Sequence, residues 1–180
     1  MKINNKSNNL IAPVELVDYN PAWPRMFEDY KKEIDQAIGG YISTIEHIGS
    51  TSVPGLFAKP EIDIMVGVRN LNDAKKCIAP LKEIGYVYFP KFEEFVPERR
   101  YFRKSDGLIP LVHIHMVETS SKFWKEHILF RNHLRNNSEA REEYNNLKKK
   151  LIVSSGKDRG IYQDGKERFI KRIIKLAGHL

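Results

Sequence analysis

The chain has a single cysteine, Cys77, among 180 residues. One thiol excludes a disulfide framework within the chain and fits a reducing compartment. No apolar run approaches the ~20 residues needed to span a bilayer. Met1 to Asn9 is rich in Asn, Lys and Ser and has no apolar signal-peptide segment. The expectation is a cytoplasmic protein with no membrane partner. The composition is globular, with 41% hydrophobic and 29% charged residues. A chain of this size buries roughly two-thirds of its unfolded surface without metal or disulfide support. Residues 1–12 read as a disordered tail and 13–180 as one domain, with no repeat or long linker.

Acidic charge is scarce only at one end. Residues 1–120 hold 15 Lys/Arg and 16 Asp/Glu, whereas residues 121–180 hold 15 and 7, so the net +7 is entirely C-terminal. Such a surplus is either a solvated helical face or a surface turned toward a polyanion. A nucleic-acid partner is the lesser of these readings, because the basic run is not interleaved with stacking aromatics.

Periodicity predicts helices over Trp23–Ile38 and Leu71–Ile84, and strands over Val14–Val17, Tyr41–Ile48, Glu61–Val68, Tyr86–Phe89, Arg100–Lys104 and Pro110–Val117. The last third is helical: Trp124, Ile128, Arg131 and Leu134 share one face, Ser138 is the expected cap of the next helix, and Ala140, Tyr144, Leu147 and Leu151 form its stripe. Phe169, Ile170, Ile173, Ile174 and Ala177 mark a final helix. Cys77 falls on an apolar helix side and reads as core.

Three segments carry chemistry. Gly49 to Lys59 is rich in Gly, Ser, Thr and Pro. Gly49-Ser50 permits close backbone approach, Ser hydroxyls donate to phosphate oxygens, and Lys59 supplies a point charge. The same residues also read as a hydroxyl-rich turn. Glu61 and Asp63 project from one face of a strand, where carboxylates are costly unless they meet a cation or a donor-rich pocket. Hard oxygen ligands of this kind suit Mg²⁺. His113 and His115 share one strand face and could bind a metal, act as acid or base, contact phosphate, or simply pack. Glu118 has the opposite parity. Arg99, Arg100 and Arg103 lie nearby in sequence.

Glu46-His47-Ile48-Gly49-Ser50-Thr51-Ser52-Val53-Pro54-Gly55-Leu56, followed by Lys59-Pro60 and Ile62-Asp63-Ile64, resembles the signature of the GrpB family. The resemblance runs through His113-Ile114-His115, Phe123-Trp124, Phe130-Arg131 and Leu134-Arg135 to Phe169-Ile170. It implies the nucleotidyltransferase superfamily and an α/β fold: a mixed sheet flanked by helices, with a helical C-terminal section. It also implies a nucleoside triphosphate, Mg²⁺ or Mn²⁺, and nucleotidyl transfer to an acceptor it does not name. On that pattern Gly49 and Ser50 hold phosphates with Ser52 and Lys59 assisting. Asp63 binds the metal, Glu61 or His115 completes its shell, and His113 is a base or phosphate contact. The superfamily's second acid would fall at position 65, which is Met65. A catalytically degenerate module that binds a nucleotide or a phosphorylated metabolite is therefore the alternative.

Overall fold

The computed structural model describes residues 15–105, 111–156 and 158–178. The expected tail therefore lies outside the described residues, as do Val14 and Pro110 from the expected strands. Helix α1 (Trp23–Ile38) carries Pro24 in its first turn, where a missing N–H costs least, and buries Trp23, Phe27, Ile34 and Ile38. A 3₁₀ turn over Gly39–Tyr41 follows, so strand β1 begins only at Thr44 and runs to Ile48. The alternation read from Tyr41 onward thus starts too early. Val17 forms one isolated bridge with Ala58 in place of the expected strand.

Strand β2 (Glu61–Val68) leads through a 3₁₀ turn at Leu71–Asp73 into helix α2 (Ala74–Glu83). Then come the short strand β3 (Val87–Tyr88), β4 (Arg99–Lys104) and β5 (Leu111–Glu118). The five strands form one sheet in the order β1-β2-β5-β4-β3, with β2 and β5 parallel and the other pairs antiparallel. Three helices close the chain: α3 (Lys122–Asn136), α4 (Ser138–Ser154) and α5 (Arg159–Ala177). Asn137, not Ser138, caps α4, its side chain accepting from Ala140 N at 2.8 Å.

The two sheet faces have different coverings. Ile62, Ile64, Val66 and Val68 of β2, with Val112, Ile114 and Met116 of β5, pack under α1 and α2, and Cys77 is fully buried there. Glu118 also points to this side and accepts from Leu71 N at 2.8 Å, as its parity requires. On the opposite face Ile48, Met65 and Val117 meet α3, leaving Glu61, Asp63, His113 and His115 beside a cavity that α3 and α5 complete. Alternation along two parallel strands therefore sorts apolar from ionisable side chains onto opposite layers.

The basic C-terminal section is more than a solvated surface. Arg131 in α3 is buried and donates to Glu46 Oε2 at 2.7 Å and His47 O at 2.8 Å. Arg135 donates to Ser52 O at 2.9 Å. From α4, Asn145 accepts from Phe57 N and donates to Gly55 O, each at 2.9 Å, and Lys148 donates to Phe57 O. These side chains fasten the Gly49–Lys59 segment to the helices.

Candidate functional site

Gly49 ends β1 with φ 72°, a backbone that only glycine adopts without strain. Residues Ser50–Ser52 then make one 3₁₀ turn. His47 Nε2 lies 3.1 Å from Thr51 Oγ1, which donates to Glu61 O at 3.0 Å. With the Thr51 hydroxyl committed to that carbonyl, the imidazole is the donor to Thr51. The His47 ring also stacks on Phe27, with centroids 4.7 Å apart. This relay ties the turn to the start of β2. Burial pushes His47 down to about 4, so the ring is neutral at pH 7.

Asp63 occupies the centre. Its Oδ1 lies 3.2 Å from His113 Nδ1 and 3.6 Å from His115 Nε2. Burial alone would raise its pKa, but hydrogen bonds from His113 and His115 and their charge hold it well below the usual carboxylate range. Its side chain keeps 28% exposure, enough to meet a ligand. Burial lowers the His115 pKa against the pull of Asp63, with Arg99 and His113 lowering it further. His113 Nε2 is buried and has no hydrogen-bond partner among the described residues.

The remaining expected residues divide. Glu61 shares the face with Asp63 and pairs with Lys59 at 2.5 Å. Burial raises its pKa, but the charges of Lys59 and His113 and the Lys59 hydrogen bond outweigh that and lower it. Gly49, Ser50, Lys59, Glu61, Asp63, His113 and His115 all line one cavity of about 480 Å³. Ser52 does not: its hydroxyl donates to Gly49 O at 2.6 Å and braces the turn, so it is spoken for by the backbone. Met65 is fully buried against Ile48 and Val117, so no second carboxylate stands there.

Much of the rest of the wall comes from four further elements. Arg99, Tyr101 and Arg103 come from β4, His127 and Phe130 from α3, Tyr144 from α4, and Tyr162 and Lys166 from α5. His127 donates through Nδ1 to Phe123 O at 2.8 Å, and burial pushes it down to about 4. Lys148 is 1% exposed, sits 3.5 Å from Ser50 Oγ and lies over the Tyr144 ring at 4.7 Å. Burial pushes it down to about 7, with the charge of Lys166 acting the same way. One signal for it was present: Lys148 follows Tyr144 by four residues on the core-facing stripe.

Residues 13–176 match the family model described as GrpB protein. The chain belongs to the GrpB family. It is 36% identical over 165 residues to the glutamate-rich protein GrpB of Alkalihalophilus pseudofirmus, a match covering 89% of this chain and 94% of that one. It is also 36% identical over 158 residues to the UPF0157 protein YqkA of Bacillus subtilis, covering 88% of this chain but 45% of YqkA. The crystal structure of the conserved protein GrpB from Enterococcus faecalis superposes with a TM-score of 0.81 at 34% identity, covering 91% of this chain and 96% of that one. The expected fold, a mixed sheet flanked by helices with a helical C-terminal section, agrees with this neighbour. No helix among the described residues is long and apolar enough to cross a membrane.

Proposed function

We propose that this member of the GrpB family binds a nucleoside triphosphate in the cavity and transfers its nucleotidyl group to an acceptor. The observation that carries the reading is the placement of the Gly49-Ser50 turn directly against the Asp63 carboxylate in a cavity whose wall also holds Lys59 and Lys166. Gly49 lets the phosphates approach the backbone, and the Ser50 hydroxyl donates to them. Lys59 adds charge beside its partner Glu61.

A single Mg²⁺ or Mn²⁺ fits this donor set better than a pair. Mg²⁺ commonly uses one or two carboxylates together with substrate phosphates. Asp63 would supply one such carboxylate, with Glu61 or His115 completing the shell. Met65 stands where a two-cation arrangement needs another acid. When bound, the cation supplies charge neutralisation at the phosphates.

In the transfer, a nucleophilic oxygen or nitrogen of the acceptor bonds to the α-phosphorus. The bond from that phosphorus to the bridging oxygen breaks, and pyrophosphate leaves with the electron pair. His113 receives the acceptor's proton. Donation from His113 Nδ1–H to Asp63 would leave Nε2 with a free lone pair, and Nε2 is the atom that has no partner. Asp63 would then orient the ring and stabilise its charge, while positioning and electrostatics carry most of the rate.

Met65 favours a second reading, nucleotide binding without transfer. Incubation with α-labelled nucleoside triphosphates, Mg²⁺ or Mn²⁺ and cell-extract fractions, with Asp63→Ala in parallel, separates the readings. Label transfer by the wild type alone supports catalysis. Binding without transfer supports the module, and equal labelling by Asp63→Ala overturns the assigned site.

A further inference from the structure

The β4 wall bears on the acceptor. Its side chains alternate, and so do their charge partners. Arg100 pairs with Glu93 at 3.1 Å and Lys104 pairs with Glu33, both away from the cavity. Arg99 and Arg103 face the cavity, and neither has a carboxylate within ion-pairing distance among the described residues. A guanidinium keeps its charge when desolvated, so an uncompensated one on a cavity wall is costly.

Aromatic faces hold both in place. The Arg99 guanidinium lies 5.0 Å from the Tyr101 ring centroid and 5.7 Å from that of Phe123, and Arg103 lies 5.5 Å from that of Phe89. Such stacking fixes the plane of the fork and leaves its edge N–H groups for an anion. The Nε of Arg99 is buried with no hydrogen-bond partner among the described residues. Its Nη1 sits 3.3 Å from His115 Nδ1, which couples it to the group beside Asp63.

Register gives the spacing. Asp63 lies opposite His113, and His113 lies opposite Arg103, forming one row across β2, β5 and β4. Adjacent strands are about 4.8 Å apart, so Arg103 stands roughly 10 Å along the sheet from Asp63. The Gly49-Ser50 turn lies on the other side of Asp63, at the β1 side of β2. His113 is between the two ends.

We propose that Arg99 and Arg103 form the acceptor subsite and that the acceptor carries a carboxylate or phosphate group. This rests on the nucleotide reading above, which places the triphosphate at the Gly49-Ser50 end. The two guanidiniums take the acceptor's anionic group, and its nucleophile is thereby directed toward the space over His113.

The test is calorimetric titration of inorganic phosphate, and separately of succinate, into protein saturated with a non-hydrolysable ATP analogue and Mg²⁺. At least one anion binds the saturated protein, and the arm with higher affinity distinguishes phosphate from carboxylate. Arg99→Lys and Arg103→Gln each weaken that binding tenfold or more and change analogue affinity less than twofold. Arg99→Lys retains charge and bulk, so folding, checked by thermal melting, is preserved while the fork is lost. The proposal is overturned if both anions only displace the analogue, if neither binds, or if either variant binds anion like the wild type. Loss of analogue affinity together with anion affinity overturns it as well. Arginine-dependent anion binding by a protein that takes no analogue would instead overturn the nucleotide reading and leave the anion subsite standing.

Discussion

A Cβ built on Gly49 would lie 2.3 Å from Asp63 Oδ2, well inside van der Waals contact. The turn and the carboxylate are thus fitted to each other. Gly49 also holds φ 72°, so alanine meets both a clash and a strained backbone. Gly49→Ala should lose about 1–3 kcal/mol of stability by denaturant unfolding. Asp63 must move away from its imidazole partners, so the substitution should also weaken nucleotide binding. Wild-type stability and affinity in this variant would remove the turn from the site.

Asp63 is the ionised partner of two imidazoles. Asp63→Asn keeps the shape and removes the charge that orients His113. Nucleotidyl transfer should fall at least about a hundredfold, in the range of a lost acid–base contribution. Thermal unfolding should show a folded protein. A transfer rate near that of the wild type would show that His113 does not depend on Asp63.

Lys148 makes a prediction about pH. Its pKa falls from the ordinary 10.5 to about 7 in the folded chain. Between those values the unfolded chain binds more protons, so stability rises with pH through this window. From pH 7 to 9 the gain attributable to Lys148 is about 2 kcal/mol, at roughly 1.4 kcal/mol per pH unit and less near the folded pKa. Lys148→Met should flatten the profile over that interval, measured by urea unfolding at each pH. An unchanged slope would show that the buried amine carries its charge without penalty.

His47 acts at the acid end. Its pKa falls from 6.5 to about 4 on folding, so the unfolded chain takes up the proton first as pH drops. Stability should therefore fall between pH 6.5 and 4, by about 3 kcal/mol if His47 keeps its full shift. His47→Gln can donate to Thr51 without titrating, and it should lose part of that acid sensitivity. His115 and His127, shifted in the same direction, contribute to the remainder.

Much of this was legible in the chain because strand parity is a strict rule. Glu61, Asp63, His113 and His115 were expected on shared faces, and the sheet places all four beside one cavity. Motif order identified the family, and helical spacing placed α1 and the three C-terminal helices. The failures have physical causes. Ser52 looked like a phosphate donor, but a hydroxyl three residues from a turn carbonyl bonds to it instead. Asn137 displaced Ser138 because either can cap and the side chain that reaches Ala140 N decides. Helical spacing puts Arg131 on the face of Leu134 and Lys148 on that of Tyr144, but only tertiary contact reveals that Arg131, Arg135 and Lys148 donate to backbone carbonyls of a distant segment.

The most direct test of the central claim is calorimetric titration of a non-hydrolysable ATP analogue with Mg²⁺ into the wild type and Asp63→Ala. The account predicts one saturable site in the wild type and at least tenfold weaker binding in the folded variant. No binding to the wild type, or equal binding to both proteins, would contradict it.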